Sequence, residues 1–319
     1  MSESRRRGSD PVPSTARLVA SPTEARNGKT IDIDVLPTPA LLERLNDEDV
    51  TVAAAVRQAL PELAHVVDAA SQALEIGGRV HYFGSGTSGR LAYLDAAELR
   101  PTFDLPNGVV VAHMAGGEQA LTRPVENAED DEASGAADAD SVTSADVVIG
   151  VSASGSAAYV AGAMSHAREV GAFVALFTSN PQARLASSAD VVVCADTGPE
   201  AITGSTRLKA GTAAKLLLNS FSTALMVRDG RTYSNLMVRL TPVNAKLRGR
   251  QVQLLSQATG AALTDCEQAL SAAAGDVRAA LVALLTGVNV AEAHVALANS
   301  NGRVREAVGL IQETKGRQT

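Results

Sequence analysis

The sequence predicts a three-layer α/β fold, in which a parallel sheet is flanked by helices, followed by a small all-helical module. Short strand-like segments alternate with helical segments between residues 79 and 227, and this alternation is typical of a parallel sheet covered by helices. Several of the strands are almost entirely apolar, as expected for strands buried on both faces. Beyond Arg250 the chain is rich in Ala, Leu and Val at helical spacing, which indicates a separate helical module.

Composition excludes several classes of function. The chain has 319 residues, 45% of them hydrophobic, and a formal net charge of −7. A negative charge disfavours nucleic-acid binding, which draws on clustered Lys and Arg. Three arginines at 5–7 are not followed by an apolar segment, and no stretch approaches the roughly 20 apolar residues of a membrane span. We therefore expect a cytoplasmic protein without nucleic-acid or membrane partners.

Four segments are expected along the chain. Residues 1–20 lack periodicity and are predicted to be disordered, and residues 21–54 form a helical or extended arm. The α/β domain spans 55–240 and the helical module 241–319. Strands are predicted at 79–83, 109–114, 147–151, 173–177 and 191–194. Helices are predicted between 47 and 74, with a boundary at Pro61, and at 157–170 and 209–227, the last ended by Asp229-Gly230.

The helical module repeats itself. The pattern of residues 269–284 recurs at 296–311, and Gly275 and Gly302 occupy equivalent positions. Two helix-turn-helix units with a glycine at each turn fit this repeat, and the pattern is similar to ubiquitin-associated modules. A role in dimer packing or as a lid is favoured over protein recognition.

A glycine-rich loop follows the first strand. Ser85, Gly86, Thr87 and Ser88 stand directly before a helical segment. Glycines allow the backbone to approach a ligand, while hydroxyls and helix N-terminal amides donate to an anion, so the loop is predicted to bind a sugar phosphate. The spacing matches neither a P-loop nor a dinucleotide fingerprint. A tight turn between strand and helix is the alternative.

Two further segments carry hydroxyl groups. Ser154, Gly155 and Ser156 follow the third predicted strand, and residues 198–212 contain Ser205, Thr206 and Lys209 before a long helix; we expect all six to contribute to substrate or phosphate binding. Open α/β sheets bind ligands at the carboxyl ends of their strands. Taken alone, a Ser-rich turn is more often a helix cap.

Several motifs resemble those of N-acetylmuramic acid 6-phosphate etherases. They are the loop "GSGTSGR" and the segments "LDAAEL", "MAGGEQAL", "VENAED" and "NLMVRLTPVNAKLRGR", with "TEARN" and "LNDED" upstream. The resemblance implies an SIS (sugar isomerase) fold and a cofactor-independent, metal-free homodimer with shared sites. It also implies a phosphosugar substrate whose D-lactyl ether is hydrolysed to N-acetylglucosamine 6-phosphate and D-lactate.

The family's two catalytic glutamates correspond to Glu98 and Glu129. The resemblance assigns Glu98 as the acid that protonates departing lactate, and Glu129 is our choice for the base at C2. Opening the sugar gives an aldehyde that acidifies the C2 proton, so one acid and one base suffice for elimination before water adds. Without the resemblance, each would be interpreted as an exposed helix charge. Glu118 is a third candidate, with a charge at a helix N-terminus as its alternative.

The second loop departs from the family pattern. The family typically has Arg and Thr where this chain has Ser156 and Ala157, and Ser where it has Ala97. A serine hydroxyl cannot replace a bidentate guanidinium on phosphate. These changes leave the proposed acid and base in place but bear on substrate identity.

Other functions remain open from the residues themselves. An SIS aldose-ketose isomerase would need a base at C2 without an etherase-specific acid. A non-catalytic sugar-phosphate sensor, similar to the glucokinase regulatory protein, would need neither glutamate. A transcriptional regulator is disfavoured because no basic helix-turn-helix segment precedes the α/β region.

Overall fold

The computed structural model describes residues 21–239 and 245–316, so the predicted disordered segment 1–20 lies outside the described residues. The helices are α1 (Thr38–Asp49), α2 (Val52–Gln58), α3 (Leu60–Glu75), α4 (Gly86–Phe103), α5 (Gln119–Thr122), α6 (Glu132–Asp138), α7 (Ala158–Glu169), α8 (Lys209–Arg228), α9 (Ala245–Thr259), α10 (Leu263–Ala272), α11 (Val277–Thr286), α12 (Val290–Ala298) and α13 (Val304–Gly316). The strands are β1 (Val80–Gly84), β2 (Val110–Met114), β3 (Val147–Val151), β4 (Phe173–Thr178), β5 (Val191–Cys194), β6 (Thr232–Tyr233) and β7 (Leu236–Met237).

The central sheet is parallel, as the sequence predicts. Its five strands lie in the order β2-β1-β3-β4-β5. In register, Gly84 at the end of β1 pairs with Met114 of β2 and Val151 of β3. Because all five strands run the same way, the segments that follow them lie at one edge of the sheet.

Two apolar layers enclose the sheet. Alternate residues of β1 point to opposite faces: Val80 and Tyr82 pack with α2, α3, α4 and α8, whereas Phe83 packs with α6 and α7. Ile149 of β3 belongs to the first layer and Val148 to the second. This alternation produces the expected three-layer sandwich.

The predicted helical stretch from 47 to 74 consists of the end of α1, all of α2 and most of α3, and the break after Asp49 is not predicted. Ala59 separates α2 from α3, and Pro61 occupies the first turn of α3, where its missing N–H costs no intrahelical hydrogen bond. The sequence therefore identified the boundary correctly. Before α1, 3₁₀ turns at Pro22–Glu24 and Ile33–Val35 form the arm.

The helical module shows the predicted repeat as two helix pairs. α10 and α11 begin at Leu263 and Val277, and α12 and α13 begin 27 residues later, at Val290 and Val304. The turns contain Gly275 and Gly302, with φ of +89° and +76°. Both glycines therefore adopt the left-handed conformation that the repeat requires.

Within the described residues, no single helix has both the length and the apolar composition to span a membrane. α11 and α12 reach that length and apolar composition only when taken together, and the chain bends by 110° between them.

Candidate active site

The first loop joins β1 to α4 through two close backbone approaches. A Cβ atom at Gly84 would lie 2.7 Å from the backbone nitrogen of Gly89, so a side chain does not fit there. Gly86 has φ of +52°, and the side chain of the N-cap residue, Ser85, makes no capping hydrogen bond to α4. The N–H groups of the first turn are therefore available to an anion, beside the half-buried hydroxyls of Thr87 and Ser88.

The third segment lies against the first loop. A Cβ atom at Gly211, in the first turn of α8, would lie 3.5 Å from Cγ2 of Thr87 and 3.2 Å from the carbonyl oxygen of Thr206. Ser205 and Thr206 are half-buried just before α8. Hydroxyl groups from two distant segments are thus brought to one place at the edge of the sheet.

The N-terminus of α8 is already occupied by a carboxylate. Glu200, fully buried, accepts hydrogen bonds from the backbone N–H groups of Lys209 (2.9 Å) and Ala210 (3.0 Å). Burial raises the pKa of Glu200, against these two hydrogen bonds, which lower it. This helix end therefore differs from that of α4, where the N-cap residue Ser85 makes no side-chain capping hydrogen bond.

Lys209 has a partner within the chain. Its side chain is buried, and Nζ donates to Oε2 of Glu48 at 2.6 Å. Burial tends to raise the pKa of Glu48, but hydrogen bonds from Lys209 and Asn27 and the charges of Lys209 and Lys29 hold it below 4.5. The structure thus places the cation predicted to bind phosphate in an internal ion pair.

The N-terminal arm holds the third segment through side-chain and backbone hydrogen bonds. Asn27 Nδ2 donates to Glu48 Oε2 at 2.8 Å, and Thr30 Oγ1 donates to the carbonyl of Ala201 at 2.8 Å. The backbone N–H of Gly204 donates to the carbonyl of Thr23 at 3.0 Å. Residue types and spacing alone do not indicate this role; only the family resemblance of "TEARN" and "LNDED" points to these segments.

The second loop is fixed by β4. Asn180, after the end of β4, donates through Nδ2 to the carbonyl of Ser154 at 2.9 Å. Ser152 Oγ accepts from the backbone of Gly155 at 3.1 Å, and Ser154 and Ser156 hydroxyls lie 2.9 Å apart. Gly155 has φ of +64°, and a Cβ there would lie 2.3 Å from that of Ala183. The loop therefore presents two half-buried hydroxyls from a constrained backbone.

The two glutamates belong to different secondary-structure elements, and both are exposed in the single chain. Glu98 is on α4, 12 residues beyond Gly86. At about 1.5 Å per residue, this places its backbone about 18 Å along the helix from the loop. Glu129 is in the 3₁₀ turn Ala128–Asp130, which contacts α7. Crowding by surrounding protein atoms, followed by the charge of Asp130, raises the pKa of Glu129.

A third carboxylate, Asp95, is buried one turn before Glu98. It accepts hydrogen bonds from the hydroxyls of Tyr82 at 3.1 Å and Ser222 at 3.0 Å. Burial raises the pKa of Asp95 to about 6, despite these hydrogen bonds, which lower it. Asp95 thereby joins α4 to β1 and α8, a role that no local pattern in the sequence indicates.

The histidines of the first two strands pair with each other. His81 Nδ1 and His113 Nε2 lie 3.0 Å apart, and burial, followed by the charge of His113, lowers the pKa of His81 to about 4. His81 is fully buried within the sheet, and His113 is half-buried. Among the described residues, no group of three or more His, Cys, Asp and Glu side chains is arranged to hold a metal ion.

Comparison with known proteins identifies the family. A model of the SIS domain matches residues 119–224, and one of the glucokinase regulatory protein N-terminal SIS domain matches residues 62–168. A protein of Thermobifida fusca named N-acetylmuramic acid 6-phosphate etherase is 58% identical over 84% of this chain and 88% of its own. This chain belongs to the N-acetylmuramic acid 6-phosphate etherase family.

Other comparisons agree on family and fold. The etherase-family protein of Brucella anthropi is 44% identical over 92% of this chain and 95% of its own. The solved structure of a phosphoheptose isomerase from Francisella tularensis aligns with a TM-score of 0.50 at 17% identity, over 60% of this chain and all of that one. This likeness concerns the fold alone and agrees with the SIS fold implied by the sequence motifs.

For a member of this etherase family, the structure brings together part of the predicted site. The first loop and the third segment are in contact, and the second loop lies at the same edge of the sheet. Ala153 of the second loop and Ala210 of α8 line one small cavity of about 10 Å³. Within one chain, Glu98 stands about 18 Å along α4 from the first loop. Glu118 is exposed before α5, and Lys209 is paired internally.

Proposed function

We propose that this protein cleaves the D-lactyl ether of N-acetylmuramic acid 6-phosphate with water, giving N-acetylglucosamine 6-phosphate and D-lactate. The observation that carries the proposal is 58% identity, over most of both chains, to a protein that bears the etherase name. Release of this amino sugar and lactate is a step in cytoplasmic recycling of cell-wall sugars. The free amides of α4 and the hydroxyls around them support a phosphosugar substrate.

The phosphate is proposed to sit at the N-terminus of α4. Ser85, Thr87 and Ser88 surround amides that no side chain caps, and the helix dipole favours an anion there. Ser205 and Thr206 approach from the third segment, and Ser154 and Ser156 from the second loop. Because Lys209 is paired with Glu48, we assign it to holding the third segment, while neutral donors bind the phosphate.

The reaction is proposed to proceed by elimination and hydration on the open-chain sugar. Glu129 removes the C2 proton, the electron pair forms the C2–C3 double bond, and the C3–O bond breaks. Glu98 donates a proton to the departing lactate oxygen and then takes one from the water that adds at C3. The proton on Glu129 returns to C2, so ether and water become alcohol and lactate with both glutamates restored. The raised pKa of Glu129 makes it a stronger base than an ordinary carboxylate.

We propose that a homodimer completes the site. Glu98 stands about 18 Å along α4 from the loop of its own chain, and the exposed face around it includes Leu94, which is 45% exposed. An exposed apolar side chain beside a catalytic carboxylate is what a subunit interface would cover. In this arrangement, Glu98 of one chain serves the phosphate loop of the other.

The experiment that tests the proposed function is D-lactate release from N-acetylmuramic acid 6-phosphate by the purified protein. Glu98→Ala and Glu129→Ala are measured beside it, with circular dichroism to verify folding. If the wild type releases D-lactate and each of the two substitutions abolishes this release, the etherase activity and its acid-base pair are supported. A wild type that binds the substrate without releasing lactate contradicts the proposal.

A second candidate is a non-catalytic sugar-phosphate-binding regulator. The match of residues 62–168 to the glucokinase regulatory protein domain favours it, as does Ser156, which stands where the etherase family typically has arginine. The same assay separates the two functions, because a regulator would bind the phosphosugar and leave the ether intact. An SIS isomerase would instead exchange the C2 proton of a hexose phosphate and form a ketose.

A further inference from the structure

Three arginine side chains meet where the α/β domain contacts the helical module. Arg231 follows α8, Arg239 follows β7, and Arg278 lies in the first turn of α11. A Cβ atom at Gly302 would lie 3.1 Å from Arg239 Nη2 and 2.9 Å from Arg278 Nη1, so these nitrogens are within 6.0 Å of each other. Burial, followed by the charges of Arg231 and Arg278, lowers the pKa of Arg239.

Two of the three guanidinium groups have partners. Arg231 Nε donates to Asp229 at 2.6 Å, and its Nη1 donates to the carbonyls of Phe103 and Asp104 at 3.0 and 2.9 Å. Arg278 Nε and Nη2 donate to the two carboxylate oxygens of Asp276 at 3.3 and 3.2 Å. Arg278 Nη1, the nitrogen that lies beside Gly302 together with Arg239 Nη2, takes no part in these two hydrogen bonds.

Arg239 differs from both. Among the described residues, its buried Nε has no hydrogen-bond acceptor and its guanidinium takes part in no ion pair. The charges of Asp229 and Asp104 counteract the lowering of its pKa without reversing it. A buried donor without an acceptor, close to two like charges, is unfavourable unless another group supplies negative charge.

We propose that Arg239 and Arg278 bind a small oxyanion, a phosphate or a carboxylate, at this junction. Guanidinium forks match the oxygen geometry of both groups, and the anion would satisfy the Arg239 donors and reduce the repulsion between the arginines. Arg278 belongs to the helical module, and Arg239 follows the β6–β7 hairpin, whose Tyr233, Leu236 and Val238 pack in the core of that module. The neighbouring Arg231 reaches the end of α4, so a bound anion would stabilise the hairpin and the module where they meet the α/β domain.

This site is separate from the proposed phosphate loop and does not depend on the proposed function. Arg231 contacts the carbonyls of Phe103 and Asp104 at the C-terminal end of α4, whereas the loop is at the N-terminal end. An α-helix of this length, 18 residues, is about 27 Å long.

The test is calorimetric titration of the full-length protein with inorganic phosphate and, separately, with D-lactate as the carboxylate probe. We expect saturable binding of at least one probe with a component that Arg239→Met weakens at least tenfold, and the probe that shows it identifies the ligand class. Arg57→Ala, which removes an exposed arginine of α2, serves as the control and should retain that component. Isotherms that Arg239→Met leaves unchanged for both probes would overturn the proposal.

Thermal unfolding gives a second readout. Because Arg239→Met removes a like charge, the Tm of this variant in anion-free buffer should equal or exceed that of the wild type. Adding the probe should raise the Tm of the wild type by more than it raises the Tm of Arg239→Met. Arg239→Lys keeps the charge but loses the fork, so it should fold and show an intermediate response. Equal Tm gains in wild type and both variants would contradict the site.

Discussion

The Nζ atom of Lys209 lies 2.6 Å from Oε2 of Glu48, 161 positions earlier in the chain, and both side chains are buried. The pair joins the end of α1 to the start of α8. Since α8 begins three residues after Thr206, the ion pair helps to fix the position of the Ser205 and Thr206 hydroxyls relative to the first loop. The contact gives the N-terminal arm a part in shaping the proposed phosphate site.

Removing one member of this pair should be more harmful than removing both. Glu48→Leu leaves Lys209 buried without a counter-charge and should lower the free energy of unfolding by about 3–5 kcal/mol. The double variant Glu48→Leu/Lys209→Met should be closer to the wild type, as measured by urea unfolding. Additive losses would contradict a coupled pair.

The same pair predicts loss of stability in acid. The folded-state pKa of Glu48 is below 4.5, so its contribution is present above the unfolded-state pKa and is lost as the pH falls through the folded value. Unfolding followed between pH 6 and pH 3 should show a smaller loss below 4.5 in the Glu48→Leu/Lys209→Met variant, which cannot titrate here. Identical pH profiles for the two proteins would exclude the linkage.

Asp95 should change the pH dependence of stability in the opposite direction to Glu48. Its folded pKa of about 6 exceeds the ordinary value of 3.8, so the folded state binds more protons between these values and stability falls as the pH rises through them. The shift corresponds to about 3 kcal/mol. Asp95→Asn keeps a side chain that can hydrogen-bond to Tyr82 and Ser222 but does not titrate. In thermal melts from pH 4 to 7, this variant should therefore lack the decrease in stability with rising pH. A variant with the wild-type pH slope would contradict it.

Gly155 of the second loop and Gly198 at the start of the third segment have matched backbone conformations but different surroundings. Their φ angles are +64° and +65°, but a Cβ at Gly155 would lie 2.3 Å from that of Ala183, whereas nothing lies within 4 Å at Gly198. Gly198→Ala should cost about 1 kcal/mol from backbone strain alone. Gly155→Ala should cost more and should also raise KM for the phosphosugar, since it displaces Ser154 and Ser156. Equal effects on KM would argue against a binding role for the loop.

The pH dependence of kcat/KM should report on Glu129. A base must be deprotonated, so activity should fall as the pH drops through its raised pKa, above the ordinary 4.5. Asp130→Asn removes a charge that contributes to the raised value and should move this limb to lower pH. Glu126→Gln, at an exposed position in the same segment, is the control and should leave the limb in place.

Subunit complementation should reveal which chain supplies Glu98. Glu98→Ala and a loop variant, Thr87→Val/Ser88→Ala, should each be strongly impaired as homodimers. If Glu98 serves the other chain, a mixed dimer has one complete site, formed by the intact loop of the Glu98→Ala chain and the Glu98 of the loop variant. Each mixed dimer should then show about half of the wild-type activity. Lactate release that stays at the level of the parent variants would place Glu98 in the site of its own chain.

Much of the fold follows from local pattern. The strand bounds at 147–151 and 191–194 match β3 and β5, and the start of α8 at Lys209 was placed correctly. Predicted β1 was displaced by one residue, because Gly84 continues the ladder before the loop begins. The glycine-rich loop is recognisable in the sequence because hydroxyls and glycines at the end of a strand form a distinctive local pattern.

The sequence by itself determined the parallel α/β sheet, the repeated helical module and the family, since apolar period, turn residues and motifs are properties of neighbouring positions. Only the tertiary structure decided that Lys209 pairs with Glu48, that Asp95 is buried against Tyr82, and that Arg239 has no carboxylate partner among the described residues. The physical reason is that a side chain's charge partner and burial depend on which distant segments the sheet order brings together, and no local period encodes that order.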